Sequence, residues 1–136
     1  MQDKAVEAFK NELKNYYFYL DRIKSLKEMR QRCYDWLSGV TGIDPSREPT
    51  HSPPNKNVEY AVREEIEHHE ANIRATQSKL NDINKILAKI EMPLRTALID
   101  VYANKKTARR VAEKMFISPS ALFKRMDKAI KKALED

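Results

Sequence analysis

Apolar residues along this chain fall into two helical rhythms separated by a proline-rich gap. Val6, Phe9, Leu13, Tyr16, Leu20 and Ile23 step by 3, 4, 3, 4, 3, which is a heptad seam. Leu26, Met29, Cys33 and Trp36 continue it after one further step of three, so the stripe is locally overwound there. The pattern predicts a helix over about 3–37. From Val62 through Ile66, His69, Ile73, Thr76, Leu80, Ile83 and Leu87 to Ile90 the steps alternate 4 and 3 without a break. That coiled-coil signature predicts a second helix over about 58–91.

Residues 38–57 lie between the seams and hold both glycines and four of the six prolines: Pro45, Pro49, Pro53 and Pro54. A proline ring removes a helical N–H and clashes with the preceding turn, so a loop or linker is expected there. Two seams of matched length joined by a loop predict an antiparallel helical hairpin over 1–91. A pair of helices has limited area to bury, and Tyr17, Phe18, Tyr19 and Trp36 widen the apolar surface of the first. The hairpin is therefore expected to pack on a second copy as a homodimer, with a long monomeric hairpin as the alternative.

Pro93 opens a different pattern, and residues 92–136 read as a separate module. Leu94, Leu98, Val101 and Tyr102 give a short helix one apolar face, and Asn104 suits its C-cap. Thr107 can cap a second helix that buries Ala108, Val111, Ala112 and Met115, after which Phe116 and Ile117 make a turn. Ser118 then caps a third helix with Pro119 at its first position, where a missing N–H costs nothing. Its buried face is Leu122, Met126, Ala129, Ile130 and Ala133. Ser120, Phe123, Lys124, Asp127, Lys128 and Lys131 fall outside. The fold expected is all-α: a long antiparallel helical hairpin followed by a C-terminal three-helix helix-turn-helix module.

Composition agrees, with 34% charged residues and two glycines among 136. The net charge of +6 is unevenly placed. Residues 1–92 hold 15 Lys/Arg against 15 Asp/Glu, whereas 93–136 hold 11 against 5. The excess on the last third suits a polyanion such as nucleic acid, or a plain solvated basic surface. No apolar run approaches the ~20 residues that cross a bilayer, so no membrane partner is expected. Met1-Gln2-Asp3-Lys4 lacks a signal-peptide layout, and a lone cysteine, Cys33, excludes an intrachain disulfide framework. A cytoplasmic location is expected.

The run Val111-Ala112-Glu113-Lys114-Met115-Phe116-Ile117-Ser118-Pro119-Ser120-Ala121-Leu122 resembles the helix-turn-helix of sigma-70 region 4. Residues 123–134 are similar to its recognition helix, and Met92-Pro93-Leu94 with Val101-Tyr102 to the helix that buttresses it. With a coiled-coil half in front, the chain looks like the small sigma-like regulators of phages and prophages, the late-gene regulators of the ArpU and RinA type. The resemblance covers 92–134 well and the first half only in general style. It implies promoter binding on double-stranded DNA, and it leaves room for contact with RNA polymerase. Pro119, Ser120, Phe123 and Lys124 would then meet base edges, while Lys105, Lys106, Thr107, Arg109, Arg110, Arg125 and Lys128 would hold phosphates. Two departures stand out. Phe116 occupies a position where the family usually has glycine, so either it adopts φ > 0 at a cost of about 1 kcal/mol or the turn differs. Arg110 replaces a common capping-box Glu.

Other chemistries find less support. Glu65 and His68 have the i, i+3 spacing of di-iron bundles, and Glu65 and His69 share a face, but such a bundle needs two Glu-x-x-His motifs and the chain has one. No metal and no cofactor is expected; His69 reads as a polar seam residue and Cys33 as core packing. The tyrosine cluster 16–19 reads as a protein interface rather than a base-stacking platform, and His51 carries no readable role. Nothing suggests an enzyme. Two further classes stay open: a small-terminase-like packaging or structural DNA-binding protein, and an adaptor whose basic end binds an acidic protein.

Overall fold

The computed structural model describes residues 3–41 and 56–135, and all regular structure among them is helical. The expected loop around Pro45, Pro49, Pro53 and Pro54, and His51 with it, lies outside the described residues. No helix among the described residues is long and apolar enough to cross a membrane.

The first seam forms two helices rather than one: α1, Lys4–Lys14, and α2, Tyr16–Thr41. Asp3 caps α1, its carboxylate accepting the Ala5 N–H at 2.9 Å. The break falls at Asn15, whose N–H turns back to the Glu12 carbonyl. The Lys14 carbonyl accepts a hydrogen bond from Lys105 Nζ at 3.1 Å, so a tertiary contact anchors the interruption. Because the helix restarts, its inward face shifts phase. Tyr19 is buried while Leu20 is exposed, and Met29 and Trp36 are exposed where the uninterrupted seam would bury them.

The second seam forms α3, Lys56–Ala88. Ile66, Ile73, Thr76, Leu80, Ile83, Leu87 and Ile90 are buried as expected, and Val62 and His69 are half-buried. Thr76 is tolerated on that face because its hydroxyl donates to the Asn72 carbonyl at 2.8 Å. The expected 38–57 linker is shorter at both ends, since α2 runs to Thr41 and α3 starts at Lys56.

After α3 come α4, Leu94–Leu98, a π-helical turn Ile99–Ala103, α5, Ala108–Lys114, and α6, Pro119–Glu135. The π-helical turn ends at Asn104, the expected C-cap, whose N–H reaches back to the Ile99 carbonyl.

The chain divides into two compact units, Met1–Leu20 with Ser78–Asp136, and Asp21–Gln77. The sequence placed a boundary between 91 and 92. The units part elsewhere because α1 packs against both α6 and the π-helical turn, drawing the start of the chain into the C-terminal module. In that unit Leu13, Leu98, Leu122, Met126 and Ile130 are fully buried, and Tyr16 donates to Asn84 on α3 at 3.2 Å. In the Asp21–Gln77 unit α2 and α3 pair antiparallel. Cys33 meets Glu65 and Tyr34 meets Glu70, while Leu26, Leu37, Ile66, Ile73 and Thr76 are the buried side chains among its described residues.

Candidate nucleic-acid interface

Local hydrogen bonding fixes where α6 begins. Thr107 is extended, and its hydroxyl accepts the Arg110 N–H at 3.3 Å, starting α5 despite the absence of a capping-box glutamate. At the other end of α5 the Phe116 N–H donates to the Glu113 carbonyl and the Ile117 N–H to the Ala112 carbonyl, both at 3.1 Å. This is the paired bonding of a Schellman turn, which places one residue in the left-handed region. That residue is Phe116, at φ 60. The first of the two turn geometries open from sequence is thus realised without glycine. Its ring projects into solvent, 95% exposed, while Ile117 turns inward. Ser118 caps α6 through the Ala121 N–H at 3.1 Å, and Pro119 is the helix's first residue. Ala112, fully buried, lets α5 and α6 pack closely.

Those caps turn one face of α6 inward and the other outward. Leu122, Met126, Ile130 and Ala133 are buried, with Ala129 half-buried. Pro119, Ser120, Phe123, Lys124, Arg125, Lys128, Lys131 and Lys132 are exposed. Lys124, Lys128 and Lys131 follow steps of four and three, so they line one side of the helix, with Arg125 and Lys132 flanking them. None of these five cations has an ion-pair partner among the described residues.

Other candidates for phosphate contact are already engaged. Lys105 donates to the Lys14 carbonyl, and Lys106 lies 3.5 Å from Asp100. The Thr107 hydroxyl serves the cap. Arg109 makes an exposed i, i+4 pair with Glu113 at 3.6 Å, a contact worth only a few tenths of a kcal/mol. Arg110 is exposed.

Asp127 is the correction on α6. The sequence placed it outside, but it is half-buried and pairs with Lys10 of α1 at 2.5 Å. Lys10 also lies 3.3 Å from Glu7 and 5.7 Å from the Tyr102 ring centroid. Burial pulls the Lys10 ammonium's pKa down, yet its bonds to Asp127 and Glu7 outweigh that, leaving it above the ordinary lysine value. Burial pushes the Tyr102 phenol upward in turn, against the pull of Lys10. The pairing neutralises the carboxylate nearest the lysine row, so the open side of α6 presents positive charge. Lys10 was missed because a lysine beside the apolar set Val6, Phe9 and Leu13 reads as an ordinary solvated residue. No protein-family model, curated protein or solved structure matches the chain.

Proposed function

We propose that the chain is a double-stranded-DNA-binding transcriptional regulator that inserts the first turns of α6 into a major groove. The single observation carrying this reading is the open side of α6. A sharply capped helix offers Ser120, Phe123 and Lys124 at its start, followed by unpaired cations along the same side. A major groove about 12 Å wide admits one helix. Ser120 and Lys124 can bond base edges, Phe123 offers apolar contact to a thymine methyl, and Arg125, Lys128 and Arg110 reach for phosphates. Lys105, Lys106 and Asp127 do a different job in this reading: they hold the module together and aim α6. The likeness of 111–134 to sigma-70 region 4 supports promoter DNA as the target, phage or prophage origin, and RNA polymerase as a second partner. Exposed Tyr17 and Phe18 in one unit, and Met29 and Trp36 in the other, support a homodimer. Such a dimer would read two half-sites.

Binding should be measured by fluorescence anisotropy on duplexes selected by the whole chain from genomic fragments, across salt concentrations. Lys124→Ala and Arg125→Ala should each weaken binding and lower the salt slope by about 0.9 where a phosphate contact is lost. Ser120→Ala should relax the preference among sequences while leaving that slope intact. Unchanged low-salt affinity in both Lys124→Ala and Arg110→Ala would overturn the reading. Selection with no preferred sequence would point to packaging instead. Sedimentation equilibrium tests the dimer.

A further inference from the structure

In the Asp21–Gln77 unit, α2 and α3 bring three different metal-ligand side chains together. Ligand atoms of Cys33, Glu65 and His69 all lie within 4.8 Å of one another. The Cys33 thiol donates to Glu65 Oε2 at 3.6 Å. Glu65 and His69 stand at i and i+4, so the backbone of α3 holds them side by side. His69 lies on the seam between the buried Ile66 and Ile73, and its imidazole has no hydrogen-bond partner among the described residues. We infer that Cys33, Glu65 and His69 form a binding site for a divalent transition-metal ion of zinc type.

The ligand chemistry selects the ion. Zinc takes thiolate sulfur at about 2.3 Å, imidazole nitrogen at about 2.0 Å and carboxylate oxygen at about 2.1 Å. Magnesium and calcium prefer oxygen alone, and the sulfur argues against them. Around a tetrahedral ion of zinc's size, ligand atoms sit about 3.5 Å apart. Cys33 and Glu65 are already at that spacing, and the His69 imidazole, within 4.8 Å of both, needs only side-chain rotation to join them. Three protein ligands leave the fourth position to water. Cys33 and His69 are half-buried and Glu65 is exposed, so an ion reaches the site from solvent. The Cys33 thiol donates its proton to Glu65, so an arriving ion must displace that proton into solvent.

Cobalt(II) titration of the whole chain, reduced and freed of metal by a chelator, tests the site. One ion per chain should bind, with a near-ultraviolet thiolate-to-cobalt charge-transfer band that zinc abolishes on displacing the cobalt. Cys33→Ser retains a hydroxyl to meet Glu65, so helicity should hold while the band vanishes. Glu65→Gln and His69→Gln should each weaken cobalt binding tenfold or more with the circular dichroism unchanged. His68→Gln, one position away on an exposed face, should leave it intact. Absence of a thiolate band at millimolar cobalt overturns the inference. So does cobalt affinity that neither Glu65→Gln nor His69→Gln alters, since that marks a solitary thiol.

Discussion

The two compact units bury their apolar residues in different ways. In the unit that unites α1, the last turns of α3 and α4 to α6, side chains converge from several directions, and five large ones are fully buried. Among the described residues of the Asp21–Gln77 unit two helices meet, and each can hide one stripe. Met29, Tyr34, Trp36, Val58 and Tyr60 stay exposed there. Among the described residues this two-helix ribbon has no third layer to close its core. The many-sided core instead gives α6 a firm base.

The largest expected effect tests that contrast directly. Met126→Ala should destabilise its unit by about 2–5 kcal/mol, because a fully buried side chain leaves a cavity that its packed neighbours cannot fill. Ile73→Ala in the ribbon should fall at or below the lower end of that range. Urea unfolding followed by hydrogen exchange resolves the two units, and equal costs would break the comparison.

Lys10→Met should come next, at about 1–3 kcal/mol, since it strips a partly buried carboxylate of its cation. The pH dependence has a defined sign. With the folded Lys10 pKa raised, its contribution is complete below the ordinary lysine value and is lost as pH climbs through the folded value. Tyr102, also raised, loses stability in the same alkaline direction. Thermal unfolding from neutral to alkaline pH should therefore show a decline, and one that persists in Lys10→Met because Tyr102, released from the pull of Lys10, still carries it.

Phe116→Gly should move stability the other way, by about 0.5–1 kcal/mol, as glycine relieves the left-handed backbone at φ 60. A rise in urea midpoint checks it. Tyr34→Phe should be smallest, with no resolvable change in urea midpoint, because its bond to Glu70 on the ribbon is exposed to water. A larger loss would show that the ribbon depends on its polar cross-links.

What the sequence revealed and what it hid follow from the range of the interactions. Thr107, Ser118 and Pro119 act on amides within three residues, so the limits of α5 and α6 were legible. The apolar rows of α3 and α6 were legible for the same reason: periodicity reports faces. It does not report which faces meet. The break at Asn15, the pairing of Lys10 with Asp127 and the meeting of Cys33 with Glu65 all depend on distant partners, and a periodic reading ran straight through the first of them. Of the candidate DNA contacts, Ser120, Phe123 and Lys124 needed only helix phase to be placed outside. Recognising that Lys105 and Lys106 were engaged required knowing that Lys14 and Asp100 lay beside them.

The contact between Lys105 and Lys14 joins positions 91 residues apart. Helical proteins usually fold fast because neighbours in sequence are neighbours in space, and this one contact departs from that habit. Closing so large a loop carries an entropic penalty before any packing rewards it. Stopped-flow refolding should show α6 acquiring hydrogen-exchange protection late, only after α1 has found it, and more slowly than in a helical bundle of equal size.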